Sequence, residues 1–339
     1  MRATMLYSPR DICVEQIPDP EISADHEAIV RVLAACVCGS DLWPYRGIGN
    51  NPDGPRQIGH EFIGVVERVG AAVGDIGVGD FVIAPFLYSC GVCVHCLNGV
   101  TPSCVNGGGY EGCQAELVKV PQADGTLYVL PAEPAESQYA DLLALSDVFP
   151  TGHHAAICAR VSAGGIAVVV GDGAVGLSGV LAAKRLGAAN IIAMSRHESR
   201  AELARSFGAT HVVADRGKAG AQAVKDILGG IGADAVLECV GTAESMKQAF
   251  LSLRPGGFVG YVGVPHDVDL NVPIMFAKNM GLMGGIAPVR AYLDELVPEV
   301  LAGTLRPGAV FDQTLPLAEA AAAYQAMDER RAIKVMLRP

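Results

Sequence analysis

Short apolar runs broken by glycine and proline fill the first 149 residues, among them "EAIVRVLAACV", "FIGVVERVG", "DFVIAPF" and "QAELVKV". Runs of this length with turn residues between them predict a largely β domain with irregular loops. From about Gly165 the pattern changes. Nearly continuous apolar runs, "GIAVVVG", "NIIAM", "HVV", "ADAVLECVG" and "GFVGYVG", now alternate with the helical stretches "LSGVLAAKRLGA", "SRAELARSFGA", "AQAVKDILGG" and "AESMKQAFLSL". Strands apolar on both faces, each followed by a helix, predict a parallel sheet covered on both sides. A last apolar piece, "MGLMGG", closes the series. Beyond it "APVRAYLDELVPEVLAG" reads as a helix and "AAAAYQAMDERRAIKVMLRP" as a helix closing on a strand. Neither fits the alternation, so both are assigned to the first domain. The expected fold class is α/β, with a β-rich domain over 1–150 and 285–339 and a doubly wound Rossmann dinucleotide-binding domain over 151–284.

Composition narrows the partners. A chain of 339 residues is long for one core, and 41 glycines suit an α/β protein rich in tight turns. A net charge of −11 with no basic block excludes a nucleic-acid surface and leaves a small molecule as the expected partner. The first residues carry no apolar core of signal-peptide length, and no stretch approaches the roughly 18 apolar residues of a membrane helix, so a cytoplasmic protein without a membrane partner is expected. In a reducing compartment, ten cysteines point to metal or catalysis before disulfides.

Four of those cysteines, Cys90, Cys93, Cys96 and Cys104, have the spacing C-x2-C-x2-C-x7-C. A redox pair needs one CxxC and a following helix, and the common iron–sulfur run spaces its last two cysteines differently. Four thiolates with no open position describe a closed structural zinc, around which a loop lacking its own core can fold. Residues 90–106 contain no Lys or Arg, which excludes a nucleic-acid finger. Cys13, Cys36, Cys113, Cys158 and Cys239 have no partner spacing and read as small buried hydrophobes.

The stretch "GDGAVG" follows a strand and opens a helix, which is the context a dinucleotide loop requires. Gly171 permits the turn, Gly173 lets backbone approach a pyrophosphate, and Gly176, after Val175, lets the helix pack on the strand. Asp172 is an unusual neighbour for a pyrophosphate and is expected to point away from it. At the end of the second strand, where an acid would bond a ribose 2′-hydroxyl, the chain has Ser195 and Arg196, with Arg200 close behind. A hydroxyl and guanidinium groups favour a 2′-phosphate, so NADP(H) is expected over NAD(H).

The order of "CGSD", "GHEFIGVVERVGAAV", "GDFV", the four-cysteine loop, "DVFPTGHHA" and the glycine loop resembles the medium-chain zinc-dependent alcohol dehydrogenase family along the whole chain. The resemblance implies a GroES-like first domain completed by the C-terminal segment. It makes Cys38, His60 and Asp147 ligands of a catalytic zinc with an open position, and Glu61 a carboxylate able to join them. With the four-cysteine site this makes two zinc ions per chain. It also implies hydride transfer between a nicotinamide and an alcohol, aldehyde or ketone, with the Ser40 hydroxyl receiving the substrate proton. Where the family often has a histidine to pass that proton on, this chain has Trp43, so the exit is expected through water or His154. Trp43 and Phe86 are expected pocket walls, and a homodimer or homotetramer is implied. Competing expectations are an NAD(H)-dependent polyol, sugar or amino-alcohol dehydrogenase of the same family, and a non-catalytic binding protein on the same fold. The intact set Cys38, His60 and Asp147 weighs against the last.

Overall fold

The computed structural model describes residues 1–49, 54–110 and 112–339. The chain separates into two compact units, Met1–Asp147 with Pro288–Pro339, and Val148–Ala287. Residues 148–150 and 285–287, assigned by pattern to the first domain, thus lie in the second unit.

The first unit opens with β1 (Arg2–Ser8), β2 (Asp11–Gln16), β3 (Ala28–Cys36), the short helix α1 (Leu42–Tyr45), β4 (Arg56–Gln57) and β5 (Phe62–Val69). It continues through β6 (Phe81–Ala84), α2 (Val94–Leu97), β7 (Leu117–Val120), α3 (Ala123–Thr126), β8 (Tyr128–Val129) and α4 (Tyr139–Ala144). A small sheet has the order β2-β1-β4. The chain then passes through the second unit.

That unit begins with α5 (Val148–Cys158) and continues β9 (Ile166–Val170), α6 (Ala174–Arg185), β10 (Asn190–Met194), α7 (Glu198–Phe207) and β11 (His211–Val213). Its second half is α8 (Gly217–Ile227), β12 (Ala233–Glu238), α9 (Ala243–Ser252), β13 (Leu253–Tyr261), α10 (Val272–Lys278) and β14 (Gly281–Gly284). All six strands run parallel in the order β11-β10-β9-β12-β13-β14, so the chain reverses direction across the sheet between β9 and β12. A crevice at such a reversal, beyond the strand C-termini, is where doubly wound sheets take a ligand. Val168, Val170, Ile192, Val236 and Val259 pack one buried cluster, as strands apolar on both faces should. Thr242 caps α9 by accepting from the Ser245 backbone N–H, which fixes where that helix starts.

After α11 (Val289–Leu301) the chain adds β15 (Phe311–Pro316), α12 (Ala320–Asp328) and β16 (Lys334–Arg338) to the first unit. Its larger sheet has the order β15-β16-β3-β5-β6-β8, with β7 also on β3. β15 went unsignalled in the sequence because its six residues alternate half-buried and exposed without an apolar run. Among the described residues no helix is long and apolar enough to cross a membrane. Three registers of the larger sheet position the site: Ala35 of β3 lies opposite Phe62 of β5, Cys36 lies opposite Met336 of β16, and the Val37 N–H donates to the Val335 carbonyl at 3.1 Å.

Candidate metal and cofactor sites

Because β3 and β5 are antiparallel and meet at Ala35 and Phe62, the residues just past β3 lie beside those just before β5. Cys38, His60 and Glu61 meet there, and Asp147 joins them from the end of the first unit. One ligand atom from each of the four lies within 4.8 Å of all the others. Cys38 Sγ is 3.7 Å from Asp147 Oδ2, and His60 Nε2 is 3.3 Å from that same oxygen. Glu61 Oε1 is 3.8 Å from His60 Nε2. Sulfur, nitrogen and oxygen ligands arranged tetrahedrally on zinc stand about 3.3–3.8 Å apart, and these three separations fall in that range.

Electrostatics make the same case. Burial raises the Cys38 thiol and the Glu61 carboxyl above their ordinary values, and the nearby Lys334 ammonium only partly offsets it. Burial opposes a charge on His60, but Asp41 and Asp147 outweigh it and raise the imidazole well above its usual range. Acids held toward protonation and a histidine held toward its cation describe a site short of positive charge. Glu61 Oε2 is buried with no hydrogen-bond partner. A thiol, an imidazole and two carboxylates with an unpaired oxygen fit zinc.

Two supporting groups have no role assigned to them by the sequence. Asp41, the last residue of "CGSD", places Oδ1 3.1 Å from His60 Nδ1, which leaves Nε2 to face Cys38 and Asp147. Its Oδ2 accepts the Cys38 backbone N–H at 2.9 Å and Gln114 Nε2 at 3.3 Å, and Gln114 is tied in turn to the Tyr324 hydroxyl. Lys334, at the start of β16, donates to Glu61 Oε1 at 2.7 Å and to the Val37 carbonyl at 3.3 Å, with its side chain 1% exposed. Both depend on strand register rather than on local spacing. Carboxylates that orient a ligating histidine are typically worth about 10–100-fold in metal affinity. Asp41→Ala is therefore expected to weaken zinc binding at this cluster about 10-fold or more in a chelator competition, and a change below about 3-fold would refute that role.

Ser40 Oγ lies 3.5 Å from His60 Nε2 and is exposed. The Phe86 and His60 rings are T-shaped to one another, with centroids 6.2 Å apart. Trp43 sits half-buried on α1, its backbone N–H donating to the Ser40 carbonyl at 3.2 Å. His154, on α5 of the other unit, has ring nitrogens 3.5 and 3.8 Å from Cys158 Sγ.

In the four-cysteine lobe, Cys93 Sγ is 3.5 Å from Cys96 Sγ and 3.8 Å from Cys104 Sγ, and Cys104 Sγ is 3.4 Å from Cys90 Sγ. A disulfide would need about 2.05 Å, whereas two thiolates on one zinc stand about 3.8 Å apart. The cysteines are free thiols in the structure. Backbone N–H groups of Cys96 and Val105 draw the Cys93 thiol down to about 6. Burial works against ionising Cys90, but N–H groups of Val92 and Cys93 outweigh it and lower that thiol as well. Cys96 is pushed up to about 12 by burial and by hydrogen bonding to Cys104 and Cys93. Val92 and Leu97 are 75% and 74% exposed, so the lobe has no apolar core of its own.

In the second unit, β9 runs into Gly171, whose φ of +118° only glycine adopts without strain. A Cβ on Gly176 would stand 2.0 Å from the Gly171 carbonyl oxygen, while one on Gly173 would meet nothing within 4 Å. The first fact explains the tight strand-to-helix turn, and the second leaves room for a ligand at the backbone. Val175 and Gly176 lie in the first turn of α6, whose N-terminus has no side-chain cap and so presents free N–H groups. This cradle fits a pyrophosphate. Ser195 follows β10 and is buried, Arg196 is exposed, and Arg200 lies in the first turn of α7. Asp172, without a role in the sequence pattern, reaches across to Ser195 and Arg200.

A β-rich unit holding a metal-type cluster and a four-thiol lobe, in one chain with a doubly wound unit carrying a dinucleotide loop, defines a zinc- and nicotinamide-dependent oxidoreductase. Comparison with known proteins agrees. Residues 24–132 match the alcohol dehydrogenase GroES-like domain, and residues 174–302 match the zinc-binding dehydrogenase domain. Zinc-type alcohol dehydrogenase B of Aspergillus flavus is 33% identical, the alignment covering 100% of this chain and 81% of the relative. A probable zinc-binding alcohol dehydrogenase of Mycobacterium tuberculosis is 35% identical over 100% of this chain and 89% of its own. The solved alcohol dehydrogenase from Thermus sp. ATN1 superposes with a TM-score of 0.92 at 32% identity, covering 100% and 99% of the two chains. The chain belongs to the medium-chain zinc-dependent alcohol dehydrogenase family.

Proposed function

We propose that the protein passes hydride between NADP(H) and a medium-sized, fairly apolar alcohol or its aldehyde or ketone, with one catalytic and one structural zinc per chain. The observation that carries this reading is the convergence of Cys38, His60 and Asp147 from three distant segments, beside a buried Glu61 oxygen without a partner. When bound, zinc supplies a Lewis acid for a substrate oxygen, and the nicotinamide supplies or accepts the hydride.

The chain's own residues do the rest. Cys38, His60 and Asp147 hold the metal, and Asp41 keeps His60 Nδ1 engaged so that Nε2 is the ligating atom. Lys334 occupies one Glu61 oxygen and leaves the other available to the cluster. The Ser40 hydroxyl, 3.5 Å from His60 Nε2, receives the proton of the substrate hydroxyl at Oγ and, being exposed, passes it to solvent water. Trp43, which has no transferable proton near neutral pH, takes no part in that relay. The Phe86 ring beside His60 offers an apolar surface for a substrate. In the other unit Gly171, Gly173, Val175 and Gly176 receive the pyrophosphate, and Arg196 and Arg200 supply cations for a 2′-phosphate.

Initial rates with NADP(H) and NAD(H) on the same alcohol–carbonyl pair test the cofactor choice. The expected kcat/KM is about 10-fold or more in favour of NADP(H), in line with a charge-assisted guanidinium–phosphate contact. Comparable turnover with both cofactors would overturn it. A second reading, an NAD(H)-dependent polyol, sugar or amino-alcohol dehydrogenase, is favoured by one observation, the Asp172 carboxylate against Ser195.

A further inference from the structure

In NAD(H)-binding sheets of this type a carboxylate usually follows the second strand and takes the ribose 2′-hydroxyl. After β10 that place belongs to Ser195 and Arg196, yet a carboxylate stands beside it. Asp172 Oδ2 accepts the Ser195 hydroxyl at 2.9 Å. Asp172 Oδ1 lies 3.5 Å from Arg200 Nη1, which also donates to the Asp172 carbonyl at 3.2 Å. β9 and β10 are parallel with Val170 opposite Met194, so a side chain two residues past one strand meets the first residue past the other.

We propose that Asp172 is a specificity-determining residue for the nicotinamide cofactor, its carboxylate reaching from the glycine loop to the end of β10 and restraining the preference for NADP(H). The inference rests on the reading that Ser195, Arg196 and Arg200 form the 2′-site. A serine hydroxyl has one proton, and at 2.9 Å Asp172 holds it, ahead of the longer 3.4 Å approach to the His197 carbonyl. Ser195 then has only lone pairs to offer. These accept a hydrogen bond from a ribose 2′-hydroxyl, whereas a phosphate dianion has no proton to give them. The charge of Arg200 is likewise shared with Asp172, and both side chains are 13% exposed, so solvent screens the pair only partly. A 2′-phosphate bonded to Arg200 would sit close to a like charge, while a 2′-hydroxyl carries no charge to oppose and can give its one proton to Asp172 in place of Ser195. Discrimination of this kind comes from a repulsive group rather than from an added contact.

The test measures dissociation constants for NADPH and NADH by titration calorimetry on wild type, Asp172→Asn and Asp172→Ser. The same titrations with 2′,5′-ADP and 5′-AMP isolate the 2′-phosphate. Asparagine keeps an acceptor for Ser195 and Arg200 and removes the charge; serine is the fallback should the asparagine variant fold poorly. Removing a nearby like charge is expected to raise the preference for NADPH over NADH, and for 2′,5′-ADP over 5′-AMP, about tenfold. An unchanged preference, or an equal loss for both members of each pair, would mean that Asp172 only shapes the loop. A preference moved toward NADH would mean that it positions Arg200 for phosphate. Each of these overturns the proposal. The wild-type ratio stands apart: tighter NADH in wild type refutes the NADP(H) reading, and a rise in the variant still establishes the role of Asp172.

Discussion

Serine in place of Cys38 is expected to lower kcat/KM by about 1000-fold or more, while the dissociation constant for NADPH stays within about twofold of wild type. A metal Lewis acid is worth several kcal/mol of barrier, and each 1.36 kcal/mol is a factor of about ten. A serine hydroxyl remains protonated near neutral pH and is a poor zinc ligand where a thiolate is a good one. The swap is nearly isosteric in a site where Cys38 is 7% exposed, and the backbone N–H that bonds Asp41 is untouched, so the local fold should persist. The glycine loop and Ser195 belong to the second unit, with its own core, which is why cofactor affinity should separate from turnover. Elemental analysis is expected to fall from about two zincs per chain to about one. Retained turnover, or lost NADPH binding with full metal content, would refute the assignment of Cys38.

The second large effect is structural. Cys93→Ser is expected to leave the 90–104 lobe without its metal, again about one zinc per chain, and open to proteolysis within that loop. Val92, Val94 and Leu97 of the lobe are exposed, and its base is closed by the paired backbone bonds between Tyr88 and Gly108, so inside that base the four thiols are the main tie and the loop beyond it should loosen without the ion. Backbone N–H groups that draw the Cys93 thiol down favour the thiolate that ligates zinc, which a serine hydroxyl cannot match. Loss of turnover should follow the loss of structure rather than precede it, so a limited-proteolysis time course is read alongside the rates. A variant that kept both zincs and resisted protease like wild type would show the lobe to be something other than a metal clip.

What was legible beforehand divides by range. The β/α alternation after Gly165, the turn at Gly171 and the spacing from Cys90 to Cys104 are written in neighbouring residues, where periodicity and short loops carry the signal. α10 carries no helical signal because "VPIMFA" is apolar at every position and so shows no 3.6-residue periodicity; the Asn271 cap and a proline in the first turn fix its start. Cys38, His60 and Asp147 were individually anonymous and emerged through resemblance to a family; nothing in their spacing connected them.

Taken alone, the sequence determined the α/β class, the dinucleotide loop, the four-thiol lobe and the lack of an acid directly after β10, because each is set by residues a few positions apart. Tertiary structure alone decided that Asp41 orients His60, that Lys334 is buried against Glu61, and that Asp172 supplies at Ser195 the carboxylate that β10 lacks. Those contacts follow from the register of β3 with β5 and β16 and of β9 with β10. Register is chosen when whole faces of a sheet are buried together, since a slip of one residue would turn every side chain to the other face. No single stretch of the chain holds that information.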